Sequence, residues 1–233
     1  MPTPSELVRE AFLATAAEAR GLIAERAVAA RWREPSALAE LDVGAVAGHL
    51  ARAAFVVTTY LDAADTGDTA DTADTGSEGG EGADDDLVTA DAYFERVIAA
   101  AGASADDMHA GIRARAAEEA ADGQEALLAR LDATLQALDA RLASEPAERT
   151  VTVALGITMP LDEYLVTRMI ELVVHSDDLA ASAGLETPEF DALTMACVIG
   201  CMLAMVRARN GDLAVMRGFA RRERDAVSAL RAF

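Results

Sequence analysis

Apolar residues recur three and four positions apart along most of this chain, while alternation with a period of two is confined to one short stretch. The first pattern is that of helices burying one face, the second that of a half-buried strand. A first helix is predicted over residues 5–31, with Ser5 as its cap and Leu7, Phe12, Leu13, Leu22 and Ile23 along one broad face. Trp32-Arg33-Glu34-Pro35-Ser36 breaks it, because proline disfavours helix at the preceding residue. A second helix opens at Asp42, a capping residue, with Leu41 and Val46 at the staple positions, and continues past His49 to about residue 62.

Helices are predicted again over 89–101 and 105–142, the latter interrupted near Gly123. Residues 150–155 alternate polar and apolar and read as a short strand or half of a hairpin. Met159-Pro160-Leu161-Asp162-Glu163 marks a helix start, with proline early and acids in the first turn. That helix runs to Ala183 and stops at Gly184. Two more follow, over 188–209 and 212–231, separated by Asn210-Gly211. The sum is an all-α bundle with short connections.

The exception is residues 64–86, built from Asp-Thr-Gly and Asp-Thr-Ala triplets and a Gly/Glu run. Nothing in it can bury enough apolar surface to offset the entropy of ordering, so it reads as a disordered acidic surface loop. Its three-residue period does not fit a calcium loop, which needs acids at every second position.

Composition narrows the function. The chain has 233 residues and a net charge of −20; all 20 basic residues are arginine. Leaving out the nine acids of 64–86 still leaves −11. Such a surface repels phosphate backbones and anionic headgroups, which argues against nucleic acid and membrane as partners. Two cysteines do not make a disulfide scaffold, and the N-terminus lacks the basic and apolar stretches of a signal peptide. The longest apolar run, 193–206, falls short of the roughly 20 residues that span a bilayer. The expectation is one domain over 1–233, in the cytoplasm.

The chemistry concentrates in the helix after Pro160. Tyr164, Arg168, Glu171, His175 and Asp178 are spaced four, three, four and three, on one line, with apolar residues over nearly all the remaining circumference. Buried ionisable groups need partners or a metal. Glu171 and His175, at i and i+4, are close enough to give one ligand atom each to a single ion. A third ligand should come from a facing helix, and His49 is the candidate, with Gly44 and Gly48 forming a small-residue face beside it. From spacing alone, a metal centre and a metal-free hydrogen-bonded network stand level.

The segment Arg168-x-x-Glu171-Leu-x-x-His175-x-x-Asp178-Leu, with Ala-x-Ala-Gly184 behind it, resembles the signature of the mycothiol-dependent maleylpyruvate isomerase family. So do Trp32-x-x-Pro35-Ser36 and the stretch from Val43 to His49-Leu50. The resemblance implies a DinB-like metal-binding four-helix bundle, here with extra C-terminal helices and a short strand or hairpin near 150–155. It implies His49, Glu171 and His175 as metal ligands and mycothiol as cofactor. Tryptophans common in the family, before the second helix and after the second histidine, are replaced here by the Glu40-Leu41-Asp42 stretch and Asp177, and the family's extra C-terminal domain is not expected.

Two imidazoles and a carboxylate leave a dication at about +1 with open positions, as in catalytic zinc sites. Zn2+ is the first expectation, with Fe(II) compatible with the same donors. A bound thiol would be deprotonated and could add to small electrophiles, giving an isomerase or S-transferase; activated water would give a hydrolase. A non-enzymatic ligand-binding or regulatory bundle is the third reading. Asp178 is placed to orient the His175 imidazole. Arg168 is a candidate for a substrate carboxylate or a partner of Glu171; Arg221, with Arg217 and Arg224, reads first as a solvated face pairing with this acidic protein and, more sharply, as a site for an anion at the site mouth. Cys197, Cys201, Met195, Met202 and Met205 are expected in the core, and His109 on an exposed face. A homodimer through an apolar helix is compatible with the pattern.

Overall fold

The computed structural model describes residues 2–67, 87–101, 105–220, 223 and 226–232. The chain runs α1 (Pro4–Ile23), α2 (Arg26–Ala30), α3 (Val43–Thr66), α4 (Ala90–Ala101), α5 (Ala105–Glu119), α6 (Gln124–Leu142), β1 (Thr150–Val153), β2 (Ile157–Pro160), α7 (Leu161–Ala183), α8 (Ala192–Asn210), α9 (Asp212–Ala220) and α10 (Ala226–Leu230). Helices α1, α3, α6 and α7 form a four-helix bundle, α5 lies against α3, and α4 and α8 add to the side of α7. It is the all-α bundle read from the sequence.

Local chemistry sets most helix ends. α1 begins in a capping box: the Glu6 N–H donates to Thr3 Oγ1 at 3.2 Å and the Thr3 N–H to Glu6 Oε2 at 2.6 Å. The cap is therefore Thr3, not Ser5. α1 also ends eight residues before the expected position, at Ile23, with the short α2 after it. The Gln124 side-chain amide donates to the carbonyls of Ile23 (2.6 Å) and Glu25 (3.1 Å), satisfying acceptors that the break exposes. Asp42 caps α3 by accepting from the Ala45 N–H at 2.7 Å. Gly184, at φ 71°, ends α7 in the left-handed conformation open to glycine at low cost. α8 starts four residues later than predicted, because Asp191 accepts from the N–H groups of both Leu193 and Thr194.

α3 continues to Thr66, past the predicted 62, and ends at Gly67 (φ 72°). Arg141 and Arg149 pair with Asp65, and Arg141 also with Asp62, which anchors that last turn to α6 and the start of β1. The remainder of the acid-rich stretch, 68–86, lies outside the described residues.

The alternating stretch is β1, and it pairs antiparallel with β2 in the register Val153↔Ile157 and Thr152↔Thr158. Leu155 (φ 63°) and Gly156 (φ 69°) make the reversal. The hairpin also holds the chain entering α4: Val88 N–H donates to Thr158 O at 3.2 Å, and Glu163 on α7 accepts from the Ala90 N–H at 2.8 Å.

The core is continuous through the bundle, with Phe12, Leu50, Leu61, Leu131, Leu138, Leu165 and Met169 fully buried. Arg9 is buried among them. It donates to Asp162 at 2.9 Å and to the carbonyls of Leu142 (3.0 Å) and Pro146 (2.8 Å), fastening α1 to the end of α6 and the first turn of α7.

Gly48 fits the small-residue face read from the sequence. A Cβ there would lie 2.5 Å from Ala116 O and 3.1 Å from Ala120 N, so glycine lets α5 press against α3. Gly44 serves another purpose: the Trp32 indole fills the space beside it. Alanine for glycine usually stabilises a helix interior by up to about 1 kcal/mol. Gly48→Ala is expected to do the opposite, by about 1–3 kcal/mol, because α5 must move. Gly21→Ala, where an added Cβ meets nothing within 4 Å, is the control; urea unfolding of both variants checks the difference in sign.

Three expectations about the C-terminal third change. Cys197 and Cys201 are half-buried rather than fully buried; burial, then the Asp91 and Glu163 charges, pushes the Cys201 thiol up to about 12. Met205 is buried, but Met195 and Met202 are only half-buried. On α9 and α10, Leu213, Met216 and Val227 are exposed. The expected single helix over 212–231 is α9 and α10. Over an 18-residue window α8 has a mean hydropathy of 1.6, and it is long and apolar enough to cross a membrane by length and composition, although its uninterrupted apolar run is shorter.

Candidate metal centre

α3 and α7 pack antiparallel, so that Tyr60 meets Tyr164 edge-on at one level (5.5 Å between ring centroids) and His49 meets His175 at another (4.5 Å). Eleven residues separate the members on each helix, about three turns, so both pairs recur on the same two faces. Four-three spacing on α7 then brings Glu171 between the two histidines. Glu171 Oε2 lies 3.6 Å from His49 Nε2 and 3.2 Å from His175 Nε2. One ligand atom from each of the three residues falls within 4.8 Å of the other two. The structure thus brings together His49, Glu171 and His175, which the sequence separates by more than 120 positions.

The three side chains are 20–25% exposed. The polar line of α7 is therefore not sealed in the core, as the apolar circumference suggested, but sits in a cleft with access to solvent. Val173 and Val174 are half-buried for the same reason, whereas Leu165, Met169, Ile170 and Leu172 are buried.

Asp178 lies one turn beyond His175, with Oδ2 2.9 Å from Nδ1. A carboxylate can only accept, so Nδ1 carries the proton and Nε2 faces Glu171 and His49. Asp178 is in turn placed by its helix and by the loop before α3: Ser182 donates to the Asp178 carbonyl at 2.6 Å and accepts from the Ala37 N–H at 2.9 Å.

Charge follows geometry. Burial works to protonate Glu171, but the hydrogen bonds to His175 and His49, and the charges of Arg168 and His175, outweigh it and hold the carboxyl well below its usual range. Burial likewise works against a charged His175. Its hydrogen bonds to Asp178 and Glu171, and their negative charges, outweigh that and raise it to about 9. The donor set is thus one carboxylate and two imidazoles, with one imidazole held by a proton in the absence of a cation.

Arg168 stands one turn before Glu171. Its guanidinium lies over the Tyr164 ring, 5.0 Å from the centroid, and its Nε donates to Thr167 Oγ1 at 3.1 Å. Arg217 is exposed on α9; Arg221 and Arg224, and the side chain of His109, lie outside the described residues. Sequence reasoning passed over Arg52, one turn after His49 on α3, which pairs with Glu119 of α5 at 3.1 Å. The i, i+3 relation to His49 was the signal that could have found it. Among the described residues, His49, Glu171 and His175 are the group of acids, histidines and cysteines close enough to hold one ion; Cys197 and Cys201 are not part of it.

The donor atoms suit such an ion. Ligands 2.0–2.1 Å from a tetrahedral centre lie about 3.4 Å apart. The separations of 3.2 and 3.6 Å bracket that value. As hydrogen bonds alone they would be long, since N–H···O contacts cluster near 2.9–3.0 Å.

Comparison with known proteins agrees with this architecture. The family model described as mycothiol maleylpyruvate isomerase N-terminal domain matches residues 12–180, which include α3, α7 up to Ala180 and the residues His49, Glu171, His175 and Asp178. No curated protein and no solved structure matches the chain. With well over half of its length matched, from α1 through the helix that carries Glu171 and His175, the chain belongs to the mycothiol maleylpyruvate isomerase N-terminal domain family.

Proposed function

We propose that the protein is a metal-dependent, mycothiol-using isomerase or S-transferase acting on small electrophiles, with His49, Glu171 and His175 as metal ligands and Zn2+ as the metal. The observation that carries this reading is the spacing of the donor atoms, 3.2 and 3.6 Å around one carboxylate oxygen. A divalent metal bound there supplies a Lewis acid that keeps a thiol deprotonated at neutral pH.

The chain's own residues do the rest. Glu171 contributes a single negative charge, so the loaded centre is near +1 and has room for one anion. Asp178 holds the His175 proton on Nδ1 and leaves Nε2 free to ligate. Arg168, one turn away and cationic, is the group we assign to a carboxylate on the electrophile. Addition of a thiolate to a conjugated enone makes a C–S bond and an enolate. Rotation about the former double bond and expulsion of the same thiolate then give the other geometric isomer, with no net change in atoms or electrons.

A metal-free network is the competing reading, favoured by the position of His175 between the two carboxylates of Glu171 and Asp178. The test uses purified protein. Elemental analysis is expected to find about one divalent metal per chain, lost in His175→Ala. Turnover of a conjugated cis-enone carboxylate is expected only when thiol is supplied. Stoichiometric metal with thiol-independent hydrolysis would select water as the nucleophile; a metal-free, folded wild type would select the network.

A further inference from the structure

α8 is apolar around its whole circumference, and a helix of that kind is normally covered on all sides. Among the described residues only one side is covered. Thr194, Val198 and Met205 face the bundle, where Thr194 meets Thr15 of α1 at 2.9 Å between hydroxyl oxygens. On the other side Leu193, Ala196, Ile199, Gly200 and Arg207 are exposed. Positions 193, 196, 200, 203 and 207 are spaced three, four, three and four, the 3.5-residue repeat of a helix-pairing seam.

We infer that this face of α8, extended by α9, is a homodimer interface in which α8 packs antiparallel against α8 of a second copy about a two-fold axis near Gly200. Three observations select that occupant. The first is extent. Leu193, Ile199, Leu213, Met216, Phe219 and Val227 are between 38% and 70% exposed. They present on the order of 500 Å² of apolar surface, the size of the largest and often functional patch on a protein surface. That is about the apolar share of the roughly 800 Å² per partner that a stable dimer buries.

The second is glycine at the centre of the seam. A Cβ at Gly200 would meet nothing within 4 Å, so its own chain does not require a glycine there. Glycine in a helix interior costs about 0.5–1 kcal/mol relative to alanine. With Ala196 and Ala204 one turn to either side, it instead permits a second helix axis to come close.

The third is charge. The N-terminal end of α8 is acidic (Glu186, Glu189, Asp191) and its C-terminal end carries Arg207 and Arg209, all exposed, with Arg207 paired to Asp212 of its own chain at 2.6 Å. A two-fold axis at position 200 places Arg207 opposite the partner's Leu193 and Arg209 opposite the partner's Asp191. Each end of the helix then meets its opposite, and the helix dipoles oppose as well. A parallel arrangement would set like ends together. An anionic membrane would attract only one of the two ends and would repel a body of charge −20.

Light scattering on the wild type at micromolar concentration is expected to give twice 24.3 kDa. The association should persist or tighten as salt is raised from low to physiological, because an apolar contact remains while the repulsion between two acidic bodies is screened. Ile199→Glu is expected to give a monomer with unchanged circular dichroism, its dissociation constant raised at least about a hundredfold. Leu7→Glu, a comparable exposed change on α1, should leave the dimer intact. A wild type that stays monomeric overturns the inference, as does an Ile199→Glu protein that remains dimeric. So does a monomer that sediments with phosphatidylglycerol vesicles through Ile199, which would make the face a membrane contact.

Discussion

Glu171→Gln is expected to lose the metal on dialysis while keeping the fold. Glutamine has the same shape, so α3 and α7 still pack. The substitution removes only the negative charge that lies between the two imidazoles at 3.2 and 3.6 Å. Zinc held by four protein ligands is worth about 10–16 kcal/mol, or roughly 3–4 per ligand, which corresponds to a loss of 10²- to 10³-fold in affinity. An amide also leaves the centre nearer +2, so a thiolate no longer neutralises it, and thiol-dependent turnover should fall with metal content. Competition with a chromophoric chelator measures the affinity, and circular dichroism the fold. Undiminished metal in the glutamine variant would remove Glu171 from the ligand set and with it the proposed chemistry.

Metal uptake should tighten about tenfold per pH unit between pH 6.5 and 9. Ligation needs the Nε2 lone pair of His175, and in the metal-free protein that nitrogen holds a proton up to about 9, through its bonds to Asp178 and Glu171. Binding at pH 7 therefore releases a proton from His175, and affinity gains two to three orders of magnitude across the window. Titration calorimetry in buffers of different ionisation enthalpy reads the proton directly. The stability of the metal-free protein moves the other way. Since the folded-state value for His175 is raised from 6.5, its contribution is complete below 6.5 and disappears as pH rises through about 9. Glu171, held well below 4.5, contributes above 4.5 and ceases to do so only as pH falls through its lowered value. The gap in melting temperature between loaded and chelated protein should accordingly widen from pH 6.5 to pH 9. A gap that narrows would mean that His175 is not a ligand.

What the sequence revealed, and what it hid, divides along the range of the interactions. Asp42, Gly123 and Gly184 act within one turn of their own helix, and each boundary they mark stands where it was read. Thr3 and Glu6 form an equally local signal, passed over in favour of Ser5. The break at Ala24 has only Gly21, three residues earlier, as a local mark, and the carbonyls it exposes are satisfied by Gln124, a hundred positions away. The extra turn of α3 depends on Arg141 and Arg149 in the same way. The site divides similarly. Glu171, His175 and Asp178 share one helix face and are legible as a group from spacing. His49 joins them only through the packing of α3 on α7; its apolar helix and the small-residue face of Gly44 and Gly48 made it the candidate, and the family resemblance implied the same residue. Exposure was least legible: an apolar residue in α8 reads the same whether its own chain or another covers it.

The length of α3 has an electrical consequence. His49 stands near the beginning of that helix, and the acid-rich insertion departs from its last turn, 18 residues and about 27 Å further along. The insertion returns at Leu87, beside the hairpin, at the same far end of the bundle. At physiological ionic strength a charge is felt over about 8 Å, so the points where the insertion joins the bundle lie some three screening lengths from the imidazoles. A change of charge at the described end of that stretch, as at Asp65, can move the isoelectric point while the chemistry of the cleft stays untaxed.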